Sequence, residues 1–176
     1  MKLKKYFLKV TKSTNDVAIR KIKEGKERGI IITEKQTNGR GQRGNKWISL
    51  KGNLFMSIFF EVKNIQSIKK ITKENCKIIK QALSKFVQQK IQIKKPNDLL
   101  IKKKKICGIL QETLQNNDKF FFIVGIGLNL VKSPKISNYP TTYLFKYTNK
   151  NVSKSLVFRS IKNLYEKKIK YLKLNN

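Results

Sequence analysis

Apolar positions along the chain recur with two different periods, and the change from one to the other separates strands from helices. Residues 5–10 read as a short strand. Ser13, Thr14 and Asn15 then supply side chains suited to the start of a helix that runs to about Lys23 and is ended by Gly25 and Gly29. The β-branched run Ile30-Ile31-Ile32-Thr33 predicts a strand that leads through Glu34 and Gln36 into a glycine-rich segment, and residues 53–61 predict another. Between residues 68 and 89, Ile71, Ile78, Ile79, Leu83, Phe86 and Val87 fall at helical spacing and predict a long core-facing helix. Four strands are expected at residues 91–94, 99–101, 105–113 and 119–130, with a turn in the lysine run. Strict alternation would put Lys105, Cys107 and Ile109 on one face. The strand over 119–130 is apolar on both faces and is expected at the centre of a sheet. Residues 133–151 are polar and irregular, and Leu156, Ile161, Leu164, Tyr165, Ile169 and Leu172 predict a closing amphipathic helix. This order predicts an α+β fold, a mixed β-sheet with flanking helices, in a single domain over residues 1–176 without internal repeat or linker.

Composition narrows the chemistry. The chain has 176 residues, enough for one sizeable core, and its longest apolar stretch, 120–131, is far shorter than the ~20 residues that span a bilayer. No secretory signal pattern is evident, so a cytoplasmic location and no membrane association are expected. With no histidine and no C-x-x-C pair, a zinc site of the usual ligand types is not expected, and Ser-His-Asp or Cys-His catalysis is excluded. The net charge is +31, which favours polyanion binding in principle, but lysines outnumber arginines 36 to 5 and are spread along the whole length. Runs such as Lys102-Lys103-Lys104 read as a solvated surface, so charge alone does not define a site.

Chemistry gathers instead in Gly39-Arg40-Gly41-Gln42-Arg43-Gly44-Asn45-Lys46-Trp47, which holds three of the nine glycines and two of the five arginines. Glycines let backbone amides approach a ligand, and guanidinium forks suit carboxylate or phosphate. The same glycines satisfy the G-x-G-x-x-G dinucleotide pattern, yet a strand follows at residue 53 where that motif needs a helix, so the nucleotide-fold reading is rejected. Three further segments carry specific residues: Ser13-Thr14-Asn15, Lys95-Pro96-Asn97-Asp98, and Lys105-Ile106-Cys107-Gly108-Ile109-Leu110-Gln111-Glu112.

Taken in order with Gln36 and with Gly125-Ile126-Gly127-Leu128-Asn129, these segments resemble the catalytic domain of biotin protein ligases over residues 6–172. The resemblance implies a class II aminoacyl-tRNA synthetase-like fold shared by biotin and lipoate ligases. It also implies a two-step reaction, in which biotin and ATP, brought as its Mg2+ complex, form biotinyl-5'-AMP. Biotin then passes to a lysine of a biotin carboxyl carrier protein of acetyl-CoA carboxylase or a related carboxylase. By the same match Lys105, Arg40 and Asp98 are the expected catalytic residues. Ser13, Thr14, Asn15, Gln36, Arg40, Gly41, Gln42, Lys105 and Gly108 are the expected biotin-binding residues. Gly39, Arg43, Lys46, Trp47, Asn97, Lys105 and Asn129 are expected at the ATP or adenylate. No resident metal and no specific DNA binding are implied, and neither an N-terminal winged helix nor a C-terminal β-domain is expected. Gln42 stands where an arginine is usual, which implies readier release of biotinyl-AMP, and Lys95 replaces the usual tryptophan. Two other readings are a lipoate-protein ligase on the same fold and a basic nucleic-acid-binding protein, the latter resting on charge without any helix-turn-helix motif.

Overall fold

A computed structural model describes residues 1–148 and 151–174, with residues 65, 173 and 174 described by backbone alone. Seven strands form one sheet: β1 (Lys5–Thr11), β2 (Arg28–Gln36), β3 (Leu54–Val62), β4 (Ile91–Lys94), β5 (Asp98–Ile101), β6 (Lys104–Asn116) and β7 (Lys119–Leu128). Their order is β1-β2-β3-β7-β6-β5-β4, and only β1 and β2 run parallel. The sheet is therefore mixed, and β7, apolar on both faces, occupies its middle as expected. Helices α1 (Thr14–Lys23), α2 (Ile65–Ser84) and α3 (Lys154–Leu174) flank it.

Side-chain alternation assigns the two faces. Met56, Ile58, Val124 and Ile126 point toward α2 and α3, where they meet Ile71, Ile79, Val157 and Ile161 in the larger core. Phe59, Phe121 and Ile123 point the other way, against Val17, Ala18 and Ile22 of α1. α1 has only ten residues and covers part of that second face. Further along β7, two positions on from Ile123, the same face carries Gly125 and then Gly127. The uncovered end of the sheet thus lacks side chains where the functional segments converge.

Several elements depart from the sequence expectation for identifiable reasons. Gly25, at φ +78°, does follow α1. Gly29 does not, because it lies inside β2, where a Cβ would press on Phe59 and Tyr6 at 2.7 and 2.8 Å. α2 stops at Ser84 rather than near 89, since Val87 leaves the helix to bridge Thr148 while still packing on the core. β6 and β7 continue to their shared turn, where Asn117 takes φ +53°. The lysine turn lies at Lys102 and Lys103, with φ +48° and +62°.

Lys105, Cys107 and Ile109 do not share a face. A bulge pairs Leu99 with Cys107 but Leu100 with Lys105, so Ile106 is passed over. Ile106 joins Cys107 and Ile109 in the core, and the Lys105 chain lies instead over the Gly108 position.

After β7, Asn53 acts as a post. Its buried Oδ1 accepts from the amides of Leu130, Val131 and Lys132 at 3.0, 3.1 and 3.3 Å, and its Nδ2 donates to Lys132 O at 2.8 Å.

Candidate active site

A cleft of about 450 Å³ opens on the α1 side of the sheet. Its floor is β-sheet from which side chains are missing. A Cβ on Gly125 would collide with the Asn15 amide, and one on Gly108 or Gly127 would collide with the Trp47 ring. These three positions demand glycine through close approach rather than through backbone angle.

One end is a compact hydrogen-bonding cluster. Gln36 Oε1 accepts from the Thr14 amide at 2.8 Å and its hydroxyl at 3.1 Å, while Gln36 Nε2 donates to Ser49 at 3.2 Å. The buried Ser57 hydroxyl lies 2.7 Å from Thr14 Oγ1 and 2.5 Å from Asn15 Oδ1. Ser13 precedes α1 without a side-chain cap bond. Ser13, Thr14 and Asn15 are all buried at the cleft wall, so the Ser-Thr-Asn segment faces the cleft more than it caps the helix.

The glycine-rich segment is a loop closed by backbone hydrogen bonds. Trp47 N donates to Gly39 O at 2.8 Å, Gly41 N to Asn45 O at 2.6 Å, and Arg40 bridges Lys46. Arg43 adopts φ +55° and Gly44 φ +76° at the tip. Gly39 itself is behind the cleft and not in its lining: it is buried, and a Cβ there would meet the Trp47 carbonyl at 2.5 Å. Gly41, Gln42, Arg43, Lys46 and Trp47 line the cleft, and Trp47 Nε1 is buried without a partner.

Arg40 also lines the cleft, but its terminal nitrogens are taken. Nη1 and Nη2 bind the two oxygens of Glu112 at 2.8 and 2.9 Å, and Nη2 reaches Asp16 at 2.8 Å. Burial works against the Arg40 charge, yet the hydrogen bonds and field of Glu112, and then those of Asp16, raise its pKa above the ordinary value. Glu112 Oε2 further accepts from Asn15 Nδ2 at 2.5 Å, which joins loop, helix and sheet at one carboxylate.

At the other end Lys105 Nζ pairs with Asp98 Oδ1 at 2.8 Å, and Tyr139 donates its hydroxyl to Asp98 Oδ2 at 2.5 Å. Lys105 Nζ lies 5.4 Å from the Trp47 ring and 5.3 Å from the Tyr139 ring. It is thus set apart from the solvated lysines before it, as expected, although through the bulge and not through alternation. Asn97 donates to Ile109 O at 3.0 Å, and Asn129, 1% exposed, donates to Thr142 O at 3.2 Å while its Oδ1 has no partner. Cys107 is fully enclosed, and burial first and then the Asp98 charge push its thiol far up, so it is no nucleophile.

Every expected site residue except Gly39 borders this one cleft. Sequence reasoning missed Tyr139, which lines the cleft, and Asp16, Glu112 and Ser57, which hold the lining residues Arg40, Thr14 and Asn15. Glu112 closed a motif already singled out. Its pairing with Arg40 is invisible in the sequence because the two residues are 72 positions apart. Among the described residues no cluster of three His, Cys, Asp or Glu side chains is placed to hold a metal ion, and no helix is long and apolar enough to cross a membrane.

This sheet with its flanking helices is the fold of the class II synthetase-like ligase domains. The biotin protein ligase of Leishmania major, solved with biotinyl-5-AMP, superposes with a TM-score of 0.77 at 24% identity, over 92% of this chain and 72% of that one. The Aquifex aeolicus biotin protein ligase, solved with biotin and ATP, gives 0.75 at 26% identity, over 98% of this chain and 73% of that one. The chain belongs to the biotin/lipoate A/B protein ligase family, whose model matches residues 7–129. The bifunctional ligase/repressor BirA of Escherichia coli is 33% identical over 126 residues, 70% of this chain and 39% of that protein. The chain therefore spans well under half the length of that curated relative.

Proposed function

We propose that the protein is an ATP-dependent biotin protein ligase. The biotin carboxylate attacks the α-phosphorus of ATP, pyrophosphate leaves, and biotinyl-5'-AMP forms. A carrier lysine amine then attacks the acyl carbon, AMP leaves, an amide forms and the amine proton is released. The observation that carries this reading is the polarity of the cleft, with a neutral hydrogen-bonding cluster at one end and the Lys105 cation at the other. Such a cavity suits an acid whose far end is a urea. A dithiolane ring brings no N–H or C=O group to the polar wall of Thr14, Asn15 and Gln36, so lipoate is the poorer fit.

Lys105 stands where charge gathers as carboxylate meets phosphorus, and transfer of a nucleotidyl group is chiefly a matter of such positioned cations. Ser13, Thr14, Asn15 and Gln36 take the urea, while Gly108, bare of a side chain, lets Lys105 and Trp47 lie close to the sheet beside the biotin chain. Gly41 and Gln42 lie along the carboxylate, and Arg40 reaches it once Asp16 or Glu112 yields a nitrogen. Arg43 and Lys46 meet the phosphates, which bring Mg2+ with them. Trp47, Asn97 and Asn129 hold the adenylate, the free Asn129 Oδ1 being suited to an exocyclic amine. Asp98 orients the incoming lysine. The acceptor is a biotin carboxyl carrier protein, and the site of action is the cytoplasm.

The test is biotin-dependent exchange of pyrophosphate into ATP by purified protein with magnesium, repeated with lipoate. Exchange with biotin and not lipoate is expected; exchange with lipoate alone, or with neither acid, would overturn the assignment. With Gln42 rather than arginine in the loop, biotinyl-AMP is expected to dissociate faster from the wild type than from Gln42→Arg, and equal rates would refute that.

A further inference from the structure

Tyr139 lies in the irregular stretch after β7, outside every motif, yet it touches both members of the Asp98–Lys105 pair. Its hydroxyl donates to Asp98 Oδ2 at 2.5 Å, while Asp98 Oδ1 meets Lys105 Nζ at 2.8 Å. The torsion that turns an aspartate carboxylate is broad and roughly two-fold, so one contact does not fix its plane. A second contact on the opposite oxygen does.

The tyrosine is itself registered on the residue it serves. Lys105 N donates to Pro140 O and Thr142 N donates to Lys105 O, both at 2.9 Å, so the chain just beyond Tyr139 is stitched to the Lys105 backbone. Lys94 Nζ lies 4.3 Å from the centre of the Tyr139 ring, which adds a cation to the ring already approached by Lys105. Burial, then the bond to Asp98 and its charge, push the phenol pKa up, so the hydroxyl stays a donor throughout the physiological range. Tyr139 is only half-buried and belongs to neither core cluster, so its hydroxyl is not held there by packing.

We propose that Tyr139 is a positioning residue for Lys105: its hydroxyl sets the plane of the Asp98 carboxylate, and the carboxylate aims the ammonium into the cleft. The role rests on the ligase reading above.

Tyr139→Phe keeps the ring and removes only the hydroxyl. We expect an unchanged thermal midpoint, a fall of about tenfold in the kcat of biotin-dependent exchange, and a biotin KM close to wild type. Combined with Asp98→Asn, which removes the charged acceptor, the same change should have little further effect. A second measurement needs no turnover: under trace acetylation read by peptide mass spectrometry, Lys105 should label several-fold faster in Tyr139→Phe, with Lys103 unchanged. Equal exchange rates and equal Lys105 labelling in wild type and Tyr139→Phe would overturn the proposal, as would a loss carried by KM or one that persists undiminished beside Asp98→Asn. Absence of exchange by the wild type would overturn the ligase reading, and the labelling ratio would then decide alone whether the hydroxyl holds the pair.

Discussion

Arg40 and Glu112 meet fork to fork, Nη1 to Oε1 at 2.8 Å and Nη2 to Oε2 at 2.9 Å, and so fasten the glycine-rich loop to strand β6. The same carboxylate holds Asn15 of α1. Replacing it should therefore disturb both the loop and the hydrogen-bonding end of the cleft. Glu112→Gln preserves the shape but turns an amide toward the guanidinium. We expect a loss of about 1–2 kcal/mol in stability, since a partly buried charge loses its partner. Biotin affinity should fall about tenfold, the equivalent of about 1.4 kcal/mol. Thermal unfolding and titration calorimetry measure the two, and an unchanged midpoint would show that Asp16 alone suffices for Arg40.

Lys105 and Lys103 are two residues apart and should differ sharply. Lys105 is enclosed by Asp98, Trp47 and Tyr139, whereas Lys103 is exposed in the β5–β6 turn. Lys105→Ala is expected to lose on the order of 10²-fold or more in pyrophosphate exchange, and Lys103→Ala to change little. Small, equal effects would remove Lys105 from the reaction.

Trp47 is the only tryptophan, so its emission reports on the cleft. Gly127→Ala places a methyl group where the Trp47 ring lies. The ring must shift, and overpacking of this kind costs about 1–3 kcal/mol. A red-shifted emission maximum, a lower thermal midpoint and weaker nucleotide binding are expected together. An emission spectrum identical to wild type would mean that the sheet has moved instead.

Glu166 accepts the Leu3 amide at 2.7 Å and pairs with Lys162 at 2.9 Å, tying the first residues to α3. Burial raises its pKa, but the Leu3 hydrogen bond and Lys162 outweigh it, and the folded-state value lies below the ordinary one. A carboxylate depressed on folding contributes stability that is present above its unfolded pKa and lost as pH falls through the folded one. Stability should thus drop on the acid side, below the ordinary carboxylate range, and Glu166→Gln should flatten that limb of a pH series of denaturant midpoints. Parallel acid limbs for the two proteins would assign the loss to other groups.

Much of this arrangement was legible in the order of residues. The β4 strand at residues 91–94, the central place of β7 and the grouping of the Ser-Thr-Asn, glycine-loop, Pro-Asn-Asp and Lys105 segments follow from period and motif. The bulge that turns Lys105 away from Cys107 was not, because a skipped residue such as Ile106 leaves a strand-like sequence unchanged and is visible only in the pairing. Tyr139 escaped for a related reason: it lies in a stretch without periodicity, and its partner Asp98 is 41 residues away. Gly125 and Gly127 were seen as part of a motif, but their role as floor depends on Trp47 and Asn15, which arrive from distant segments.

The chain that leaves β7 is held at Asn53, through three successive amides, and held again where Pro140 and Thr142 flank the Lys105 backbone. Pro134 and Ile136, which border the cleft, lie between these two anchors. A span secured at both ends transmits little of its own variation to what lies beyond, so the residues from 133 to 138 can be rewritten while Tyr139, Asp98 and Lys105 stay in place. The rim of the cleft is in this sense an exchangeable part, through which selectivity can drift between descendants that keep one reactive centre.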